Sequence, residues 1–340
     1  MVAEVCAFVL GDSGDGNGKR ILDGTLGGGG HSAALLDRGA DVTGLDRDAN
    51  AIREATMRLE RFSTAGRFHA VECNFADVDN VPDLAGQQFD GILLDLGVSS
   101  HQFDDESRGF SFREGAPLDM RMELTEGGDA PSASRFLNEA DEEELTLAFK
   151  HYADEPRGAR IAREVVRRRG NRPFATSDDL VGAVRAVLGP RSGPPDFARI
   201  FQAVRIAVND EIGSLTRALP ALRDRLTPSG VIAVITYHSG EDRLVKHAFR
   251  EWSASCICPP RHPMCTCGGD RALGRVVTRK AVTAAADEIV RNARARSAKL
   301  RVWQRRDGRV GGAGGVGSAG RTVRPPSTPH HPPPPHRSVT

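Results

Sequence analysis

Three aspartates stand where chemistry could be done. Asp23, Asp46 and Asp95 each close a short apolar run, in "RILDG", "VTGLD" and "GILLDLG". The first run enters a loop with five glycines within seven positions (24–30), followed by His31 and Ser32. A strand, a glycine loop and a helix N-terminus together turn backbone N–H groups toward a ligand, and glycine lets that ligand come close. Asp46 lies nineteen residues after Gly27. An acid at that position accepts hydrogen bonds from both hydroxyls of a ribose. Alternatively Asp46 or Asp48 caps the following helix, and the two aspartates can divide the two roles. The spacing Gly24-x-x-Gly27-Gly28-Gly29-Gly30 is more compact than the G-x-G-x-x-G dinucleotide fingerprint. Three acids at the carboxyl ends of neighbouring strands would face one crevice. That crevice repels a pyrophosphate and attracts an ammonium and a sulfonium, which favours S-adenosylmethionine over NAD as cofactor.

The elements that must position these residues alternate over the first hundred positions. "RILDG" predicts a strand, "HSAALLDRG" a helix closed by Gly39, "ADVTGLD" a strand and "DANAIREATMRLERF" a helix; "RFHAVECNF" and "FDGILLDLG" are further strands. The alternation implies an α/β fold with a parallel, Rossmann-like sheet. From about Asp105 to Arg205 the pattern is helical, with Ser177 as the N-cap of "SDDLVGAVRAVLG". "DFARIFQAVRIAVNDEIGSLTRAL" reads as one long helix, apolar at 197, 200, 201, 204, 208, 212 and 215. Strands return at "GVIAVITYHS" and "AKLRVWQ". The expected organisation is a sheet domain in two parts, 1–104 and 206–308, interrupted by an all-helical insert, 105–205. A Gly- and Pro-rich tail, 309–340, is too poor in apolar residues to bury a core and is expected to be disordered.

At this point the chain resembles a known family. "DGTLGGGGHS", "GLDRD", "DGILLDLGVSSHQFDDESRGFSFREGAPLDMRM", "FQAVRIAVNDE", "YHSGEDRLVK" and "RARSAKLR" closely resemble the bacterial 16S ribosomal RNA cytosine-N4 methyltransferases, from about residue 20 to 306. The resemblance implies S-adenosylmethionine as methyl donor and a class I methyltransferase sheet. It implies as acceptor the exocyclic N4 of a cytidine in the decoding region of 16S rRNA, within the small ribosomal subunit. Carried over by position, the donor contacts are Gly29, Gly30, His31, Asp46, Phe75, Asp95 and Gln102. From the residues alone, Phe75 reads as a core aromatic and Gln102 as a surface polar group. The chain departs from the family pattern in three places. It begins almost where the family has a His-x-Pro-Val lead-in, which suggests a truncated start. Gly240 replaces leucine in "YHSGEDR", and Ala293 stands where the family has proline.

The exocyclic amine of cytosine is a weak nucleophile because its lone pair is delocalised into the ring. An acceptor for its N–H groups draws the nitrogen toward sp³, and in-line placement of nitrogen, methyl and sulfur does the rest. Asp95 is the first candidate for that acceptor, with Asp119 of "PLDMRM" and His238 of "YHS" behind it. Asp119 could equally pair with Arg121, and His238 could be a structural hydrogen-bonding group. The surrounding RNA must be gripped. "RGARIAREVVRRRGNR", with Arg160, Arg163 and Arg167 on one helical stripe, and the acid-free "RNARARSAKLRVWQRR" are the basic runs available, each readable instead as a solvated face.

Composition bounds the rest. The net charge of +1 from 46 Lys/Arg and 45 Asp/Glu excludes a globally basic RNA binder, so attraction to nucleic acid must be local. No apolar run is long enough to span a bilayer and the start lacks signal-peptide features, so a cytoplasmic protein with no membrane partner and no obligatory protein partner is expected. Cys256, Cys258, Cys265 and Cys267 form C-x-C-x6-C-x-C. Four thiolates could bind a structural zinc, but the usual C-x-x-C spacing is absent, and reduced thiols or disulfides remain open; no metal is assigned to the site. The competing readings are an NAD-dependent oxidoreductase and a non-catalytic RNA-binding ribosome assembly factor.

Overall fold

The computed structural model describes residues 1–11, 13–99, 102–103, 105–123, 131–259 and 264–307. The tail read as disordered lies outside them.

The sheet is built where the sequence alternates. β1 (Arg20–Asp23), β2 (Asp41–Asp46), β3 (Phe68–Glu72), β4 (Phe89–Asp95) and β5 (Leu226–Thr236) pair in parallel. β8 (Lys299–Arg305) adds antiparallel to β5, and the short β6 (Gly274–Val276) and β7 (Val282–Thr283) pair with β8. The strand order is β3-β2-β1-β4-β5-β8-β6. It reverses between β1 and β4, and in an open parallel sheet that switch point holds the ligand crevice, outside the carboxyl ends of the strands.

Successive side chains of a strand point to opposite faces, so a doubly covered sheet sorts neighbours into two cores. Ile21, Leu93, Ala233 and Ile235 belong to the core under α1 (Val2–Leu10) and α2 (Gly30–Leu36). Leu22, Ile92, Leu94, Ile232 and Val234 belong to the other, with α10 (Glu211–Asp224) and α11 (Ser239–Trp252). Helices α5 (Ala133–Glu139), α6 (Glu142–Leu147), α7 (Gly158–Arg169), α8 (Ser177–Leu188) and α9 (Pro194–Val208) bury a third cluster, including Leu137, Phe149, Ile161, Val165, Leu180 and Phe201. Residues Met1–Asp307 form one compact unit. We propose that the limits of the helical insert follow this third cluster, which runs from Phe110 to Val204.

Three helical expectations are corrected. The helix expected over 196–219 breaks into α9 and α10. Asp210 is left-handed (φ 47°), and the Asn209 amide leaves the helix to donate to Met120 O and accept from Met122 N, each at 2.8 Å. Apolar spacing continues across this break, so periodicity alone could not show it. The helix over "DANAIREATMRLERF" likewise divides at Leu59 into α3 (Ala49–Arg58) and α4 (Glu60–Thr64). The N-cap of α8 is Thr176, whose N–H donates to Asp179 at 3.0 Å. Ser177 is already helical, and its hydroxyl donates to the carbonyl of Arg113. Among the described residues no helix is long and apolar enough to cross a membrane.

Candidate donor site

The carboxyl ends of β1, β2, β4 and β5 open into a cavity of about 400 Å³. Its floor and walls include Gly24, Thr25, Gly27, Gly28, Gly30, His31, Asp46, Phe75, Asp95, Gln102, Tyr237 and Glu241. The chain makes the turn from β1 into α2 with Gly27 (φ 49°) and Gly29 (φ 71°), both in the left-handed region that glycine tolerates. Gly29 is turned away from the cavity: a Cβ there would meet Leu59 Cδ1 at 3.0 Å, so it packs the loop onto α3. Gly30 has open space around its Cβ position and lines the cavity.

The three aspartates do three different jobs. Asp23 is 1% exposed and does not line the cavity, contrary to the expectation that it faces the crevice. The turn buries it beneath the loop, where Ser32 Oγ donates to it at 2.7 Å and Thr25 N at 3.3 Å. Burial raises its pKa, against the lowering effect of the Ser32 bond. Asp46 lines the cavity and accepts from Gly27 N (2.8 Å) through one oxygen and Asp48 N (2.9 Å) through the other. Burial raises its pKa too. Each oxygen keeps a second lone pair, so a diol can still be bound. Asp48 takes the capping role, accepting from Asn50 N at 3.0 Å.

Asp95 is held from three sides. Tyr237 Oη donates to its Oδ1 at 2.9 Å, His31 Nε2 lies 3.4 Å from its Oδ2, and its own N–H donates to Thr25 Oγ1 at 2.6 Å. Burial opposes the charged form of His31, but the hydrogen bond and charge of Asp95 outweigh it and the imidazole pKa rises from 6.5. Burial first, then the Asp95 charge, push the Tyr237 phenol above its ordinary range, so it stays a donor. His31 Nδ1 is buried without a protein partner. Phe75 lines the cavity beside Gly24. Gln102, read as a surface group, is 7% exposed. Its amide donates to Asp48 (2.9 Å) and accepts from Ser99 N (3.0 Å). With its polar atoms so engaged, it braces the wall.

The other two acceptor candidates are not brought here. Asp119 is clamped by Arg121 through two bonds of 2.9 and 2.8 Å and lines a separate cavity with Ser132 and Ser134. Burial would raise its pKa, but the Arg121 bonds win and lower it. His238 caps α11: its Nδ1 accepts from Gly240 N (3.2 Å) and Glu241 N (3.4 Å), and its Nε2 lies 3.2 Å from Glu241 Oε1. Sequence reasoning missed Tyr237 and Glu241. Their signal was position alone: they follow β5, the strand beside β4, at the same end of the sheet. It also missed Arg108, 5% exposed, which donates to Asp48 (3.1 Å) and to the carbonyls of Arg121 and Met122 (both 2.9 Å).

The basic runs are largely spent on the protein itself. In the first, Arg167 and Arg168 bind Glu164, holding its carboxyl at about 2, and Arg169 donates to the carbonyls of Leu137 and Ala140. Arg163 lies 3.8 Å from Glu142. In the second, Arg301 pairs with Asp242 and Arg305 donates to the Asp224 and Leu226 carbonyls. Among the described residues Arg160 and Arg296 make no such contact.

A cavity of nucleoside size at the sheet's switch point, with one acid at the end of β2 and another at the end of β4, is the class I methyltransferase arrangement. Acids outnumber arginines on its walls, five (Asp46, Glu54, Asp95, Glu211, Glu241) against two (Arg47, Arg58), which suits a cationic cofactor. The comparisons agree: the model of the MraW methylase family matches residues 2–306, and the chain belongs to that family. It is similar to the ribosomal RNA small subunit methyltransferase H of Gemmatimonas aurantiaca, 64% identical over 289 residues, covering 85% of this chain and 90% of that protein. The proteins of the same name from Heliobacterium mobile and Symbiobacterium thermophilum are 46% and 45% identical, each over 84% of this chain and 92% and 90% of their own lengths. The protein is a methylase, and S-adenosylmethionine is its methyl donor.

Proposed function

We propose that this protein transfers a methyl group from S-adenosylmethionine to the exocyclic N4 of a cytidine in the decoding region of 16S rRNA, within the small ribosomal subunit. The observation that carries the reading is the anchored carboxylate of Asp95, set in an acid-walled cavity whose opposite end holds Asp46. When bound, the donor supplies a methyl carbon on a positively charged sulfur, open to in-line displacement.

The chain's own residues supply the rest. Asp46 accepts the ribose hydroxyls on the lone pairs its backbone partners leave free. Phe75 and the glycine loop flank the flat base, with Gly30 admitting it closely. Asp95, fixed by Tyr237 and His31, accepts an N–H from the ammonium group of the donor or from the acceptor amine at the methionine end. Either bond leaves the Asp95 charge where positive charge develops. The methylated nitrogen is strongly acidic, so loss of its proton needs only water or a modest base. Asp119 and His238 hold structure outside this exchange. Among the described residues of the two basic runs, Arg160 and Arg296 have heads available to phosphates, consistent with local and not global attraction to RNA. The expected setting is the bacterial cytoplasm, where the small subunit is found.

The test is transfer of labelled methyl to small subunits lacking the modification, with nucleoside mass spectrometry of the product. A new N4-methylated cytidine supports the reading. Label on another base or atom, or tight donor binding with no transfer to any subunit, refutes it.

A further inference from the structure

Among its described residues, the loop between α11 and β6 has no apolar core of its own. Residues 253–259 and 264–273 form neither helix nor strand, and Ile257 and Met264 are 66% and 75% exposed. Its base is nevertheless closed, by Arg271 N–H to Ser255 O (2.9 Å) and Leu273 N–H to Trp252 O (2.8 Å). Inside it the thiols of Cys256, Cys258, Cys265 and Cys267 converge, with all four sulfurs within 4.8 Å of one another.

The distances identify the kind of cross-link. Sulfur to sulfur, Cys256–Cys265 is 3.7 Å, Cys265–Cys267 3.5 Å and Cys267–Cys256 3.6 Å. A disulfide needs about 2.05 Å, and all four cysteines are free. Sulfurs at the corners of a tetrahedron around one ion, each about 2.3 Å from it, stand about 3.8 Å apart. The three measured edges are close to that value. An iron–sulfur cluster spreads its cysteines around a core of several atoms, so this tight grouping fits a single ion. Thr266 N–H donates to Cys258 Sγ at 3.4 Å, a bond that offsets thiolate charge. In an extended segment residues two apart share a side, so C-x-C sets both thiols of a pair toward one centre as C-x-x-C does in a turn.

We propose that Cys256, Cys258, Cys265 and Cys267 bind one zinc ion as a structural tetrathiolate site that staples this loop. Four thiols lose their protons on binding, and four sulfur ligands leave no open position, so the ion takes no part in methyl transfer. A closed tetrathiolate set favours zinc over the oxygen-preferring divalent ions. Small segments without a core are held by such staples.

The experiment is elemental analysis of the full chain purified under reducing conditions, together with thiol titration before and after metal removal by a chelator. One zinc per chain, and four thiols that react only after release, are the expected results. Replacement by cobalt should give the visible bands of a tetrahedral thiolate centre. C256S/C267S should lose the zinc while the unaltered chain retains it. No stoichiometric metal with four freely reactive thiols overturns the proposal. Four missing thiols without metal (two disulfides), stoichiometric iron in place of zinc, or zinc retained by C256S/C267S overturn it equally. The stoichiometry of the unaltered chain decides the matter even where the variant fails to fold.

Discussion

Arg108→Leu should be among the most damaging single changes in this chain. Asp48 and Arg108 are 3% and 6% exposed at their side chains and 3.1 Å apart. Removing the guanidinium strands a buried carboxylate, takes the Arg108 donor from the Arg121 carbonyl and leaves the Met122 carbonyl with only Gln102 Nε2 at 3.5 Å. Breaking a buried pair by deleting one partner costs about 3–5 kcal/mol. Asp48 keeps two partners, Gln102 Nε2 and Asn50 N, which places the expected loss near the middle of that range, about 4 kcal/mol. At roughly 2 °C per kcal/mol for a chain of this size, the melting temperature should fall by about 8 °C. Urea unfolding followed by the fluorescence of Trp252 and Trp303 measures the loss directly, since both tryptophans are buried in the sheet core. The double variant Asp48→Asn, Arg108→Leu removes the stranded charge and should recover about 1–3 kcal/mol relative to Arg108→Leu alone. A loss under about 1 kcal/mol in the single variant, or no recovery in the double, would refute the claim that this pair joins the end of β2 to the segment beneath the helical layer.

Three further outcomes test the donor site. Gly30→Ala meets no atom within 4 Å, so stability should be unchanged while donor affinity drops about tenfold, about 1.4 kcal/mol, measured by calorimetry; unchanged affinity would place the ligand elsewhere. Tyr237→Phe removes a single hydrogen bond to the Asp95 carboxylate, worth about 1.5–3 kcal/mol, and should cut kcat/KM about tenfold or more; an unaltered kcat/KM would show that Asp95 needs no anchoring. His31 has its pKa raised above 6.5 in the folded state, so it contributes stability that is complete below pH 6.5 and is lost as pH rises through the folded pKa. The unfolding free energy of the unaltered protein should therefore fall from pH 6 toward alkaline pH more steeply than that of His31→Gln, and parallel curves would show that the Asp95 interaction does not hold the proton.

The parallel sheet was legible because its strands are read against two cores at once. Ile92, Leu93 and Leu94 are apolar in succession because Leu93 packs under α1 and α2 while its neighbours pack toward α10 and α11. Only a doubly covered strand tolerates that run. The break between α9 and α10 was not legible for the complementary reason. Val208 and Ile212 keep helical spacing across it, and what stops the helix is a long-range demand, the Asn209 amide reaching a segment almost ninety residues earlier in the chain.

The same division explains the site. Asp46, Asp95 and the glycine loop were found because strand ends at a switch point are a local and repeated geometry. Asp23 shares that local pattern, yet the turn buries it under Ser32. A strand-end aspartate therefore identifies the crevice, but which aspartates enter it depends on the φ angles of the loop. Gln102 shows the converse. Nothing in its own neighbourhood distinguishes it from a surface amide, and its buried role exists only because Asp48, fifty-four residues away in the chain, needs an amide donor. Strand-end residues that line the cavity follow from the strand pattern, whereas residues that hold them in place follow from packing between segments distant in sequence. Arg108, Gln102 and Asn209, all of the second kind, converge on Asp48 and the 120–122 backbone. Disturbing any of them should therefore loosen the donor site through the wall that carries it.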